Sequence, residues 1–299
     1  MNTILDHCGF VTIVGRPNTG KSTLLNCIIG RKLSITSRKP QTTRTHLLGI
    51  KSDKDSQMIF VDTPGLQKKP ANLFNRYMNR EVFKALANID LAVHIIEALN
   101  WNDHDENVYT HICKLACPVI LAVNKVDRIK NKQELLPFID KLNTRGFYKE
   151  IIPVSAKTGK NINLLEENIK KLLPAGTALF PDDQVTDRNE RYFAAEFIRE
   201  KLTHSLGDEL PYNISVTIDK FQEEQRIIKI SATIWVANDG QKKIVIGKNG
   251  AVLKKAGQLS RKDMENMFGK KVFLETWVKI KDKWTNSTRA LKQFGYDSH

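Results

Sequence analysis

A glycine-rich run near the N-terminus places the strongest constraint on how this chain can fold. Residues 15–22 read Gly-Arg-Pro-Asn-Thr-Gly-Lys-Ser and fit the pattern G-x-x-x-x-G-K-[S/T]. The apolar run 10–14 precedes this motif, and a helical pattern that begins at Lys21 follows it. Glycines let the backbone curl so that its N–H groups and the N-terminus of the helix surround phosphate oxygens. The run therefore predicts a phosphate-binding loop between a strand and a helix.

Strand-like and helix-like segments alternate through residues 1–175. The predicted strands are 9–14, 47–51, 58–61, 91–96, 119–123 and 151–154. The predicted helices are 21–29, 72–87, 105–116, 134–142 and 164–173. This alternation predicts an α/β fold in which a mostly parallel sheet has helices on both faces. Ligands of such sheets bind at the carboxyl ends of the strands, so the functional loops should follow strands.

A second, smaller domain is predicted after a linker. Residues 176–187 are interrupted by proline, glycine and aspartate, which indicates a linker, and residues 188–299 then form the second domain. Its predicted elements are a helix at 188–206, strands at 213–220 and 226–236, a helical stretch split at 247–250, a strand at 271–280 and a short C-terminal helix. This order predicts an α+β fold.

The charge of the chain points to a polyanionic partner. Its 299 residues include 47 basic and 33 acidic side chains, a net charge of +14 with histidines neutral. Residues 181–241 hold 7 basic and 12 acidic residues, whereas residues 242–292 hold 14 basic and 4 acidic residues. Such an excess favours nucleic acid or an anionic membrane surface as a partner. No apolar run reaches the roughly 18 residues that cross a bilayer, which predicts a cytoplasmic protein.

Two motifs contain the residues expected to contact the phosphates. Lys21 can reach the β and γ phosphates, and the Ser22 hydroxyl can ligate Mg²⁺. Asp62, at the end of the next apolar strand, can hold the Mg²⁺ shell, and the Gly65 N–H can sense the γ phosphate. The expected phosphate-side contacts are Gly15, Arg16, Pro17, Asn18, Thr19, Gly20, Lys21, Ser22, Thr23, Asp62, Thr63, Pro64 and Gly65.

Two further motifs are expected to select the base. Asp127 follows the strand 119–123, and its carboxylate can accept hydrogen bonds from guanine N1 and N2, which adenine cannot satisfy. Asn124 can tie loops together near the base, while the Lys125 stem can lie along the base face. In Ser155-Ala156-Lys157 the Ala156 N–H is the expected donor to guanine O6. The four motifs, each placed after a strand, predict a GTPase.

The motif spacing resembles that of the translation-factor-type GTP-binding proteins. This resemblance implies that residues 40–44 are the switch segment in which a threonine closes over Mg²⁺; Thr43 is preferred and Thr42 is the alternative. Lys21, Thr43 and Gly65 are then the expected catalytic residues. Leu66 stands where Ras-like enzymes have the glutamine that orients water, so slow hydrolysis is expected. In related GTPases an asparagine at the position of Asn18 accompanies a potassium ion, which makes K⁺ a candidate cofactor beside Mg²⁺.

The second domain resembles a KH domain of the prokaryotic, type II kind. The order of its elements matches that fold, and residues 244–253 contain Gly247-Lys248-Asn249-Gly250 between two helices. Small residues let such a loop approach the sugar-phosphate chain of about four unpaired nucleotides. The expected RNA-binding residues are Ile246, Gly247, Lys248, Asn249, Gly250, Lys254 and Lys255.

A phosphate-loop GTPase followed by one KH domain resembles the Era family of bacterial GTPases. The resemblance spans nearly the whole chain and rests on residues 41–44, 60–66 and 245–250. It implies binding to the 3′ end of 16S rRNA, a switch role in assembly of the 30S ribosomal subunit, and peripheral association with the inner membrane. A monomer is expected. Two alternatives stay open from the sequence: a GTPase that drives RNA modification, and an RNA-binding module with a vestigial nucleotide site.

Overall fold

The described residues fall into two compact units. In this computed structural model residues 4–36, 43–44, 47–64, 72–206 and 214–296 are described. The first unit takes in 1–34, 43–70 and 78–187, and the second takes in 35–42, 71–77 and 188–299, each as far as it is described.

The strands and helices between residues 4 and 187 follow the predicted α/β alternation. The strands are β1 (Ile4–Leu5), β2 (His7–Val14), β3 (Leu47–Ser52), β4 (Ser56–Asp62), β5 (Leu91–Glu97), β6 (Val119–Asn124), β7 (Glu150–Pro153) and β8 (Gly176–Thr177). The helices are α1 (Lys21–Ile29), α2 (Leu73–Ala87), α3 (Asp103–Ile112), α4 (Leu135–Asn143) and α5 (Ile162–Leu172).

One sheet, in the strand order β3-β4-β2-β5-β6-β7, forms the centre of the first unit. Strand β3 is antiparallel to β4, and the other neighbouring strands are parallel. Strands β4 and β6 are buried along their whole length, as expected for a sheet covered on both faces. Because β2, β4, β6 and β7 run in one direction, the loops that follow them emerge at the same edge. All four predicted nucleotide motifs lie in or directly after these strands.

The segment expected to be a linker belongs to the first unit instead. Residues 176–187 lie within it, and β8 pairs with β1 in a short antiparallel ladder. The buried Gln57 side chain accepts hydrogen bonds from the N–H groups of Leu179 (2.8 Å) and Phe180 (3.0 Å) and donates to the Phe180 carbonyl (2.8 Å). These hydrogen bonds pair backbone N–H and C=O groups of a segment that its proline and glycine content had predicted to be a linker. The segment is therefore packed against the rest of the first unit.

Helix α3 also differs from its prediction by two residues at its start. Asn102 caps this helix by accepting from the His104 N–H at 2.9 Å, and Asp105 accepts in return from the Asn102 N–H at 3.2 Å. This reciprocal capping moves the beginning of the helix to Asp103.

The second unit has the element order of a type II KH domain. Its elements are α6 (Glu190–Ser205), β9 (Ser215–Glu223), β10 (Ile227–Val236), α7 (Asp239–Ile246), α8 (Ala251–Phe268), β11 (Lys271–Ile280) and α9 (Thr288–Gln293). The sheet order is β11-β10-β9, with β10 and β11 parallel and β10 and β9 antiparallel. The predicted helix–strand–strand–helix–helix–strand order is confirmed.

Candidate functional site

The phosphate-loop motif is a tight turn that leads from β2 into α1. Lys21 is the first residue of α1, and its Nζ donates to the carbonyls of Gly15 and Arg16, both at 3.0 Å. The ammonium group is buried, and burial lowers the pKa of Lys21 to about 8, against the opposing attraction of Asp62. A buried cation held by two carbonyls of the loop is placed to neutralise an anion bound there.

Backbone geometry explains the glycines of this motif. Gly20 has a φ of 106°, and a Cβ built on it would lie 2.4 Å from the Asn124 side-chain nitrogen. A Cβ at Gly15 would lie 2.4 Å from the Ile95 carbonyl oxygen. Both positions therefore exclude larger side chains, and the N-terminus of α1 begins without a side-chain cap.

Three hydroxyl groups converge on the carboxylate of Asp62. Its Oδ2 accepts from Ser34 at 2.6 Å, from Ser22 at 3.2 Å and from Thr43 at 3.2 Å, while the Ser22 and Thr43 hydroxyls lie 3.0 Å apart. Burial raises the pKa of Asp62, and these hydrogen bonds oppose the rise. Its other oxygen, Oδ1, is buried and has no hydrogen-bond partner among the described residues.

This cluster fits a hard divalent cation. Mg²⁺ prefers oxygen ligands, and two hydroxyls beside a carboxylate with an unpaired buried oxygen supply them. Of the two threonines considered for this role, Thr43 has its hydroxyl within the cluster, whereas Thr42 lies outside the described residues. Ser22, Thr43 and Asp62, the predicted metal ligands, are thus brought together.

Asn124 connects the base-side motifs to the phosphate loop. Its amide nitrogen donates to the Thr19 carbonyl at 2.7 Å, and its Oδ1 accepts from the Ala156 N–H at 2.9 Å. Ser155 donates to Asp127 Oδ1 at 2.6 Å, which orients the exposed carboxylate expected to read guanine. The Ala156 N–H, assigned to guanine O6, thus already has a partner within the protein, and its contact with O6 stays a prediction.

Sequence reasoning missed an acidic pair beside these loops. Glu97, the last residue of β5, lies 3.1 Å from Lys125 Nζ and 3.4 Å from Arg16 Nη2. Asp105 binds Arg16 Nε at 3.0 Å, and burial raises the pKa of Asp105 against the attraction of Arg16. Glu97 ends the strand β5 at the edge where ligands bind, and this position was the available signal.

Ser34 was also missed, although its hydrogen bond to Asp62 is the shortest of the three. It follows α1 in an irregular segment, and no motif distinguishes it from other serines. Its role depends on the buried position of the Asp62 carboxylate, which only the folded structure reveals.

The remaining predicted nucleotide residues lie around the same edge. Thr63 is buried, and its hydroxyl donates to the Ile13 carbonyl at 3.3 Å. Asn18 has a left-handed backbone with a φ of 66° and is exposed, as is Lys157. Gly65, predicted to be catalytic, lies outside the described residues together with Leu66.

The predicted G-x-x-G loop of the second unit joins α7 to α8. Gly247 has a φ of 74°, and a Cβ there would lie 2.5 Å from a methyl group of Val252. Gly250 also has a φ of 74° and forms the N-cap of α8 without a side-chain hydrogen bond. Lys248 and Asn249 are exposed between the two glycines. The loop therefore presents backbone and a lysine to solvent at the start of a helix.

A cleft of about 390 Å³ runs beside this loop between α8 and β11. The residues that line it are Gly250, Leu253, Lys254, Gly257, Gln258, Arg261, Leu274 and Thr276. Of the predicted RNA-binding residues, Gly250 and Lys254 line the cleft, Lys255 is exposed on α8, and Ile246 ends α7. The apolar side chains, small Gly257 and two cations suit bases and phosphates of a single strand.

Two family models match the two units. A model described as a 50S ribosome-binding GTPase matches residues 10–125, and a model described as a KH domain matches residues 209–285. These matches agree with the sheet order, the phosphate loop and the G-x-x-G loop described above. The chain is a phosphate-loop GTPase followed by a KH domain.

Curated relatives identify the family. The GTPase Era of Coxiella burnetii is 50% identical over 291 residues, which are 97% of this chain and 98% of the relative. The GTPase Era of Pseudomonas aeruginosa is 48% identical over 290 residues, covering 97% of this chain and 95% of the relative. The chain belongs to the GTPase Era family.

Solved Era structures share this fold over 98% of the chain. A variant of Aquifex aeolicus Era bound to GDP·AlF₄⁻ has a TM-score of 0.94 and 37% identity, covering 98% of this chain and 100% of that one. An Era complex with MgGDPNP and nucleotides 1506–1542 of 16S ribosomal RNA has a TM-score of 0.93 and 37% identity, covering 98% and 99%. Among the described residues, no helix combines the length and apolarity that membrane crossing requires.

The depressed pKa of Lys21 predicts that GTP binding takes up protons in alkaline solution. Because the lysine has a pKa of about 8 and a bound triphosphate favours its charged form, binding restores the proton and affinity falls as pH rises through 8. Calorimetry in two buffers of different ionisation enthalpy should give a larger proton uptake at pH 8.5 than at pH 7.5.

A control separates this lysine from others. Lys132 is exposed, so Lys132→Met should retain the same uptake. An uptake that does not change between pH 7.5 and 8.5 would contradict the placement of Lys21 against the phosphates.

Proposed function

We propose that this chain binds GTP with Mg²⁺ at the phosphate loop, hydrolyses it slowly, and captures the 3′ end of 16S rRNA in the cleft beside the G-x-x-G loop. The proposal gives it the role of a switch in assembly of the 30S subunit. The observation that carries the nucleotide part is the Asp62 cluster, where the Ser22 and Thr43 hydroxyls share one buried carboxylate near Lys21.

In this proposal each residue of the nucleotide site either neutralises charge on the phosphates or holds the nucleotide and Mg²⁺ in position. Lys21 neutralises the β and γ phosphates, and the backbone N–H groups of residues 15–16 and 18–20 and of the start of α1 hold their oxygens. Ser22, Thr43 and Asp62 hold Mg²⁺, which supplies charge neutralisation when bound. In the proposal Thr43 and Gly65 act on the γ phosphate; Gly65 lies outside the described residues. Leu66 has no polar group to orient water, so the intrinsic rate is expected to be slow.

The guanine specificity in this proposal comes from Asp127. Ser155 donates to Asp127 Oδ1, which orients the exposed carboxylate and leaves Oδ2 and the second lone pair of Oδ1 to accept from guanine N1 and N2. Asn124 is hydrogen-bonded to both the phosphate loop and the Ala156 N–H, so the residues that recognise the base are held in a fixed position relative to those that bind the phosphates.

Exchanging the Asp127 carboxylate for an amide should change which base is bound. Asp127→Asn should weaken GTP by about a hundredfold and admit xanthosine triphosphate, because the amide can donate to the xanthine carbonyl. Asn keeps an oxygen that can accept from Ser155. Competition binding with GTP, XTP and ATP measures this preference, and an unaltered preference for guanine would contradict the assignment.

The RNA part rests on the cleft and on the Era complex with nucleotides 1506–1542 of 16S rRNA. Gly250 and Lys254 place backbone and charge at the cleft, and Arg261 adds a second cation. One matching family model is described as a 50S ribosome-binding GTPase, which suggests RNA of the large ribosomal subunit as the alternative ligand. The test therefore includes an RNA fragment from each subunit.

Two glycines at opposite ends of α8 form a matched pair for testing the cleft. Gly250 and Gly269 have φ values of 74° and 68°, and neither has an atom within 4 Å of a built Cβ. Aspartate should strain both backbones equally, by about 1 kcal/mol. Only Gly250→Asp should weaken a 16S 3′-end oligonucleotide, by about tenfold or more, because it places an anion in the cleft.

Fluorescence anisotropy with labelled RNA measures the effect, and GTP affinity should stay unchanged in both variants. Equal loss of RNA affinity in Gly250→Asp and Gly269→Asp would contradict the cleft assignment. Preference for the large-subunit fragment would contradict the small-subunit role.

Potassium near Asn18, peripheral membrane contact, a cytoplasmic location and the monomeric state stay predictions. The exposed, left-handed Asn18 supports only the potassium prediction, by placing a side-chain oxygen at the phosphate loop. Single-turnover hydrolysis of GTP should be faster in potassium than in sodium. Equal rates in the two salts would contradict a role for potassium in hydrolysis.

A further inference from the structure

Strand β11 separates the cleft from a second exposed surface. Leu274 and Thr276 line the cleft, while Phe273 and Trp277 alternate with them and are 50% and 61% exposed. Successive side chains of a strand point to opposite faces, so the two rings lie on the sheet face away from the cleft. Large exposed aromatic side chains on one strand form a surface that a folded chain normally covers.

Lysines flank these rings on the same face. The alternation that places Phe273 and Trp277 outward also places Lys271 before them and Lys279 after them. Among the described residues neither lysine has an ion-pair partner, and Lys279 Nζ lies 5.9 Å from the Trp235 ring. The outward row of β11 therefore reads basic, aromatic, acidic, aromatic, basic.

The two tryptophans of this face differ in their surroundings. Trp235 donates its indole N–H to Thr217 at 2.9 Å, and the Phe294 ring lies 5.4 Å away, so the protein itself covers this ring. Trp277 is exposed, and its indole makes no hydrogen bond to any described residue. The C-terminal segment thus covers one end of the face and leaves the Phe273–Trp277 end open.

The acidic groups of this face are few and already engaged. Glu275 accepts from Ser231 at 3.3 Å, Asp219 accepts from Thr233 at 2.6 Å, and Glu224 pairs with Lys229 at 2.8 Å. Glu275 lies between the two rings, where bases rather than phosphates would be placed. A carboxylate there can accept from the exocyclic amine of a base.

We propose that this outer face, defined by Lys271, Phe273, Glu275, Trp277 and Lys279, is a stacking platform for single-stranded RNA that leaves the cleft around β11. The order β11-β10-β9 places β11 at the edge of the described sheet, so a strand can pass from one side to the other. Bases stack on the rings while phosphates approach the lysines. The inference rests on the RNA binding proposed for the cleft.

Charge favours RNA over a protein as the occupant. Protein interfaces are depleted in lysine at their centres, whereas grooves for single-stranded nucleic acid combine lysines with aromatic rings. Residues 242–292, which include this row, hold 14 basic and 4 acidic residues.

The test compares short and long RNA. The short RNA has the four-nucleotide length that a G-x-x-G cleft clamps and is taken from the 16S 3′ end, and the long RNA has about 15 nucleotides and contains the same four. Phe273→Ala with Trp277→Ala should leave affinity for the short RNA unchanged and lower affinity for the long RNA about tenfold. Compared with Trp277→Ala, Trp277→Phe should restore most of the affinity for the long RNA, because phenylalanine can still stack on a base. Trp277→Leu should not restore it, because leucine is apolar but has no ring.

Controls separate this inference from the proposed function. Phe83→Ala removes a ring of comparable exposure, 46%, from the first unit and should affect neither RNA. Gly250→Asp should weaken both RNAs. If Gly250→Asp has that effect while the double alanine variant binds long RNA normally, the platform is wrong and the cleft stands. If no variant changes binding of either RNA, both proposals fail.

Two further outcomes would assign the face to another occupant. Full rescue by Trp277→Leu would indicate an apolar protein contact and overturn the proposal. Concentration-dependent dimers in sedimentation that the double alanine variant abolishes would assign the face to a second copy. Quenching of Trp277 fluorescence by the long RNA, measured as the difference from Trp277→Phe, would support stacking directly.

Discussion

The nucleotide site depends on one buried lysine and one buried carboxylate, whose charges are disfavoured until a ligand binds. Burial lowers the pKa of Lys21 to about 8 and raises that of Asp62, so each charge is disfavoured where the fold places it. Local contacts compensate only in part: two loop carbonyls hold the lysine, and three hydroxyls hold one oxygen of the carboxylate. A triphosphate and its metal would supply an anion to the first and a cation to the second.

Both proposed anion sites leave helix N–H groups to a ligand. Helices α1 and α8 have Gly20 and Gly250 as their N-cap residues, and both glycines have positive φ values and no side chain to cap the helix. Four other helices are capped by Asn102, Asn189, Asn238 and Ser287. Helices α4 and α5 also lack a side-chain cap, so an uncapped start gains significance only beside a glycine-rich loop and a lysine. In both units, therefore, the proposed site uses the free backbone N–H groups of a helix that follows a glycine N-cap, although the expected ligands differ.

Local patterns predicted the elements, while long-range contacts required the structure. Helix α1 and strand β11 have the predicted bounds, because a motif begins the first and alternation defines the second. The β1–β8 pairing joins residues more than 170 positions apart, and two-residue strands leave no periodic signal. Ser34 reaches Asp62 only through folding, so its sequence neighbours carry no mark of the role, whereas Glu97 was marked only by its place at the end of β5. The cleft was predicted at its glycine loop, but Leu274 and Thr276 reach it only because β11 lies beside α8.

Hydrogen exchange of the full chain, measured with each ligand separately, tests most directly whether it has two distinct anion sites. With GTP analogue and Mg²⁺, the account predicts new protection at the phosphate loop and in residues 124–127 and 155–157. With a 16S 3′-end oligonucleotide alone, it predicts protection in residues 247–258. Unchanged exchange at the phosphate loop with nucleotide, or at the G-x-x-G loop with RNA, would contradict the account.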